Sequence, residues 1–134
     1  MSFSNYLEGE IIKHLLRTGS WSKPTNVYAA LFTSDPAEDA SGTEVSGGAY
    51  ARVSVSVADA QWSAISAGRS GNVNAITFPS PSGANWGTVT HCALFDASTS
   101  GNMLVYGTLT SIKIINDGDA APFFPVDTFG ITLD

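Results

Sequence analysis

The chain has 134 residues, 43% hydrophobic and only 13% charged, with a net charge of −6. That length supports one domain with its own core, 1–134, and leaves no room for a second. The six basic residues, Lys13, Arg17, Lys23, Arg52, Arg69 and Lys113, are scattered, which excludes the basic stripe that nucleic-acid binding needs.

An average soluble domain is about 25% charged. A surface this poor in charge is built from Ser, Thr, Asn and Gly or is covered by partners, and weak self-repulsion favours packing into a homo-oligomer. The lone Cys92 lies in an apolar run and reads as a small core residue, so no oxidising compartment is required. No apolar run approaches the roughly 20 residues of a membrane span. The N-terminus also lacks the basic and apolar regions of a secretory leader, so a soluble protein made in the cytoplasm is expected.

In chain order, Ser4 and Asn5 are good N-cap types and Glu8 follows Asn5 at capping-box spacing, so an amphipathic helix is expected within 1–20. Leu7, Ile11 and Leu15 form its stripe, widened by Ile12 and Leu16. Glu8 and Glu10 precede Lys13, His14 and Arg17, matching the helix dipole, and Gly19 is the expected stop. The stripe either covers the domain's own sheet or docks on a neighbouring subunit.

The remainder, 26–134, reads as β-structure. Asn26 to Thr33 is apolar on both faces, as in a strand covered on both sides. Ser34 to Gly48 is a long acidic loop carrying Asp35, Glu38, Asp39 and Glu44. Its spacing is not that of an EF-hand, so a solvated, partner-facing loop is expected rather than a metal site. Tyr50 to Val57 alternates, with Ala51, Val53, Val55 and Val57 inward and Tyr50, Arg52, Ser54 and Ser56 outward. Trp62 anchors a short segment, Ser63 to Asn72 reads as a small polar stretch, and Asn74 to Phe78 is a short strand with Ile76 and Phe78 inward.

Gly87 to Thr110 is the centre of the pattern: two β-rich runs around a Gly-Asn turn, a long hairpin in mid-sheet. Val89, His91, Ala93 and Phe95 share one face and Thr90, Cys92 and Leu94 the other, which sets His91 among core residues as a neutral, hydrogen-bonded ring. Ile112 to Ile115 is a separate short strand, ended by the Asn116 to Asp119 turn. Pro122, Phe123, Phe124 and Pro125 form an apolar edge or contact surface, because prolines do not fit central ladder positions. Phe129, Ile131 and Leu133 alternate with Gly130, Thr132 and Asp134 in a last strand.

One helix and about seven strands give a mainly β fold, an antiparallel β-sandwich or jelly-roll-like domain with one N-terminal amphipathic α-helix. No Gly-x-Ser-x-Gly elbow, phosphate loop or metal-ligand spacing is present, so no catalytic, cofactor or metal residue is assigned and a non-enzymatic protein is expected. The candidate interface residues are Leu7, Ile11, Leu15, Pro122, Phe123, Phe124 and Pro125.

In order along the chain, Ser-Phe-Ser-Asn-Tyr-Leu-Glu at the helix start, Val27 to Pro36, Glu44 to Val53, Ala75 to Pro79 and Trp86 to Thr110 resemble a family of small tailed-bacteriophage structural proteins. The Ala-Leu-Phe-Asp and Gly-Asn-Met-Leu-Val-Tyr-Gly pair is also similar to attachment regions of some phage tail fibres. The resemblance implies a virion part with no catalytic residues, assembled in the host cytoplasm, whose partners are the major capsid protein or other virion proteins. The absence of a repeated shaft favours a capsid decoration or cement protein over a tail-fibre or baseplate component, and the symmetry axes of a capsid suggest a trimer. A host-glycan-binding module is the alternative from another class, with Trp21, Trp62 or Trp86 as the exposed aromatics it would need.

Overall fold

The computed structural model describes residues 1–133. The chain folds as β1 (Ser2–Phe3), α1 (Asn5–Leu16), β2 (Asn26–Phe32), β3 (Val53–Ser56), β4 (Arg69–Gly71), β5 (Ile76–Thr77), β6 (Gly87–Phe95), β7 (Met103–Ile115), β8 (Phe123–Phe124) and β9 (Gly130–Thr132). It is mainly β, every strand pair is antiparallel, and the one helix lies near the N-terminus, as the sequence pattern requires.

A five-stranded sheet of order β1-β7-β6-β2-β3 forms one layer, and the ribbons β4-β9 and β5-β8 form most of the second. Between them lies the larger core, where Val27, Ala29, Leu31, Cys92 and Leu94 of the sheet meet Ile76, Phe78 and Phe129. Ring edges continue this core outward: Phe124 stands T-shaped to Phe129 at 4.8 Å and to Phe78 at 6.2 Å. On the opposite face a smaller cluster of Ala30, Phe32, Ala93, Phe95 and Met103 is covered by Tyr28, Tyr106 and Ala40. β2 is therefore buried on both sides, as its unbroken apolar run predicts.

Ser4, rather than Asn5, caps the helix: its hydroxyl accepts from the Leu7 amide at 3.2 Å and donates to the Met103 carbonyl. One buried serine thus starts the helix and pins it to β7. The helix stops at Leu16, short of Gly19, because Arg17 is already extended, with its amide bonded to the Lys13 carbonyl.

Four differences from expectation have local reasons. Tyr50 to Arg52 stays outside β3, since Gly47, Gly48 and Ala49 all take positive φ and the chain is still turning there. Tyr50 consequently lies under the sheet, 5.2 Å from Trp86 and 6.3 Å from Phe78, instead of pointing outward. Ile112 to Ile115 is the far end of the thirteen-residue β7, not a separate strand.

The third difference is a register break in the central hairpin: between Thr108 and Lys113, β7 takes five steps while β6 takes two from Val89 to His91. This bulge reverses the alternation, so Val89 joins Cys92 and Leu94 in the larger core while Ala93 and Phe95 face the other way. The polar Ser63 to Asn72 stretch also contains a strand, β4, which owes its existence to pairing with β9 rather than to its own Arg-Ser-Gly sequence. The expected last strand is short and ends at Thr132, so Ile131 lies in it while Leu133 is exposed beyond it, and Asp134 lies outside the described residues.

Candidate functional site

The acidic loop does not present its carboxylates to solvent uniformly. Asp35 accepts from the Ala37 amide at 2.9 Å and Asp39 from the Ser41 amide at 3.1 Å, and hydrogen bonding to Ser41 holds the Asp39 carboxyl below its usual range. These are turns closed by their own side chains, in a segment where Ala37 and Ala40 take positive φ. Glu44 points inward to Arg52, whose side chain is only 7% exposed. The arginine lies 3.6 Å from the Phe95 ring centre and donates to the carbonyls of Ala97 and Ser100. Glu44 also accepts from the Tyr50 hydroxyl at 2.9 Å, so the loop is tied to a ring of the larger core as well as to Arg52 on the smaller core face.

His91 sits at the border of that face. Its Nδ1 is 2.8 Å from the Thr90 hydroxyl and its Nε2 3.8 Å from an Asp35 oxygen. The ring orders local structure, and neither Thr90 nor His91 lines the clefts described next.

The candidate interface residues on the helix divide. Leu7 is buried in the chain's own core and Ile11 is half-buried against it, whereas Ile12, Leu15 and Leu16 are 54%, 72% and 80% exposed. The first turn covers the sheet while the last two turns project past it, leaving an apolar knob beside Arg17. Next to this helix an open cleft of about 670 Å³ runs across the sheet. Val27, Leu94, Leu104 and Val105 line it together with Leu7, Trp21, Trp62, Ile65 and Ile131, and Lys23 and Asp59 are its charged lining residues. Trp62 is fixed by an Nε1 bond to the Ser56 carbonyl at 2.9 Å, while Trp86 is buried and donates to the Gly48 carbonyl.

The second candidate segment divides in the same manner. Phe124 turns into the core, Pro122 is half-buried, and Phe123 and Pro125 are exposed, with Phe123 58% accessible. Pairing of β8 with β5 forces this alternation. These residues border a second cleft of about 530 Å³ shared with Gly107 to Ser111 of β7 and floored by Cys92, Val89 and Leu31. Ile112 and Ile114 stand exposed further along the same strand. Burial of Cys92 pushes its thiol up to about 12, which leaves it unreactive at neutral pH.

Of the three tryptophans named from the sequence as candidate exposed aromatics, Trp21 and Trp62 line the cleft beside the helix and Trp86 is in the core; what the sequence did not show is the sheet floor they share. A further local signal was Ile65, a single large apolar residue within the polar 63–72 stretch. Arg52 was missed because a period-2 pattern sends it outward, while the turn before β3 sends it across Phe95.

Compared with known proteins, residues 2–132 match the family model described as podophage GP4 fiber I protein gp80. No curated protein matches the chain.

Proposed function

The chain belongs to the podophage GP4 fiber I protein gp80 family, a family of tailed-phage virion structural proteins, and from that premise we propose that it is a non-enzymatic building block of the virion's fibres. The observation that carries this reading is the match itself, which spans nearly the whole chain. The surface supports it: both larger clefts are lined mainly by apolar side chains, which suits burial against other proteins rather than turnover of a substrate. Its partners on this reading are other virion proteins and further copies of itself, with no cofactor, nucleic acid or membrane involved.

A capsid decoration role is the second reading. It draws on the same charge-poor, apolar-patched surface, which suits contact with a lattice of major capsid subunits through many weak contacts. Fibre is ranked first because the family's description names a fibre protein. Immunogold labelling of intact particles with an antibody to this chain separates the two. Label on the fibres supports the first reading, label over the head replaces it with the second, and unlabelled particles remove both.

A further inference from the structure

We propose that the open edge of β7, over Gly107 to Ser111, takes an added β-strand from another protein of the particle, an extended segment with an apolar side chain at alternate positions. The choice of donor rests on the virion-structural reading above.

This edge of the five-stranded sheet is only partly closed. β1 pairs with Val105 and Tyr106 alone, and the Ser4 amide bonds the Leu104 carbonyl just before them. In an antiparallel ladder alternate residues turn their backbone groups to the same side, so Leu104, Tyr106 and then Thr108 face the edge, and Thr108 meets no strand there. Leu109 to Ile112 have no register partner in β6 either, because the ladder passes from His91 and Thr108 directly to Val89 and Lys113. Backbone N–H and C=O groups without ladder partners are what a further strand binds. The devices that guard such edges are sparse here, since Gly107 to Ile112 holds neither a charge nor a proline.

The occupied half of the edge shows what the open half accepts. Met1 and Phe3, alternate residues on either side of Ser2, both pack against the larger core. The cleft of about 530 Å³ begins at Met1 and opens onto the same core, with Cys92 and Val89 on its floor. A strand continuing the line of β1 directs every second side chain onto that floor, where apolar groups gain by leaving water.

Charge separates another protein from a second copy of this chain. Lys113 is the one charged side chain lining the cleft, and among the described residues it has no carboxylate partner. Pairing β7 with a second β7 brings two such lysines to one seam with no carboxylate lining it. A segment of a different protein, with an acidic residue where it passes Lys113, avoids that conflict.

The test is hydrogen–deuterium exchange of residues 107–113, followed by mass spectrometry in the isolated chain and in purified particles. The isolated chain should exchange this segment rapidly at every concentration, and incorporation into particles should slow it by at least about tenfold. Two variants accompany it, each supplied in place of the wild-type chain. Thr110→Pro removes an N–H from the edge, and Lys113→Glu reverses the charge while leaving the backbone intact. Each should lower the copies retained per particle several-fold, with the circular dichroism of the isolated chain unchanged.

Equal exchange of 107–113 in particles and in the isolated chain overturns the inference and leaves the virion reading standing, as does full retention of both variants. Protection that develops in the isolated chain on concentration, with a doubled molar mass, assigns the edge to a second copy and overturns it too. A chain absent from purified particles removes both the added strand and the reading on which its donor rests.

Discussion

Arg52 and Glu44 meet fork to fork, with Nε 2.8 Å from one carboxylate oxygen and Nη2 2.7 Å from the other. The remaining guanidinium nitrogen bonds the Ala97 and Ser100 carbonyls, at 2.9 and 2.8 Å, so every nitrogen of the group has an acceptor. The acidic loop and the nearby lead into β3 are tied to the distant β6–β7 corner at one planar group. Arg52→Ala leaves Glu44 without its partner and two carbonyls without a donor. A loss of about 3 kcal/mol is expected in urea unfolding. Arg52→Lys should recover little of it, since an ammonium cannot form the paired bonds or stack on Phe95.

Asn72 does for the second layer what Arg52 does for the loop. It is a fully buried polar residue whose amide nitrogen bonds the Asn74 and Pro125 carbonyls and whose oxygen accepts from the Phe129 amide at 2.9 Å. The side chain connects the two ribbons. Asn72→Leu keeps the volume and removes all three bonds, and should cost roughly 2–4 kcal/mol in urea unfolding. Hydrogen exchange should show the β4-β9 and β5-β8 ribbons opening before the five-stranded sheet.

Gly48 is required by its backbone. Its φ is +56°, and a Cβ there would stand 2.4 Å from the Ala84 carbonyl oxygen and 2.8 Å from the Trp86 ring. Trp86 donates its indole N–H to the Gly48 carbonyl at 2.8 Å, so displacing either residue disturbs the other. Gly48→Ala should lower the melting temperature measurably, whereas Gly83→Ala, with a positive φ but open space around it, should cost only the backbone strain.

Stability should fall in alkali. Burial raises the Cys92 thiol from its ordinary 9.0 to about 12, and burial, with Glu44 beside it, raises the Tyr50 phenol above its ordinary 10.0. Between the ordinary and raised values the folded chain holds a proton that the unfolded chain has released. Folding stability is therefore full below pH 9 and declines as pH rises toward 12, by up to about 1.4 kcal/mol per pH unit for each such group. Urea midpoints measured from pH 8 upward check this, and Cys92→Ala should flatten the lower part of the decline. The native thiol should also resist a thiol reagent that labels it at once in urea.

Much of the architecture was legible because it follows from side-chain period. The unbroken apolar run of β2 announced burial on both faces, and the Gly101-Asn102 corner announced the hairpin that Asp96 closes by accepting from the Asn102 amide at 2.7 Å. What the pattern could not show were events that break the period. The bulge between Val89 and His91 moves Val89 to the other face, and three successive positive-φ residues before Tyr50 turn its ring inward. Of the candidate interface residues, Leu7 and Phe124 serve the chain's own core, which no stripe on a helix or pair of phenylalanines reveals before the partner elements are placed. Leu15 and Phe123 remain accessible for the same reason: each lies beyond the reach of the layer its neighbour packs against.

The central claim is that this chain is a standing component of a phage particle. Quantitative mass spectrometry of particles purified by density gradient and stripped of loosely bound protein by a salt wash measures it directly. The account predicts peptides of this chain at a fixed ratio to the major structural proteins, retained through the wash. Recovery of the chain only in the infected-cell lysate, with none in purified particles, would contradict it.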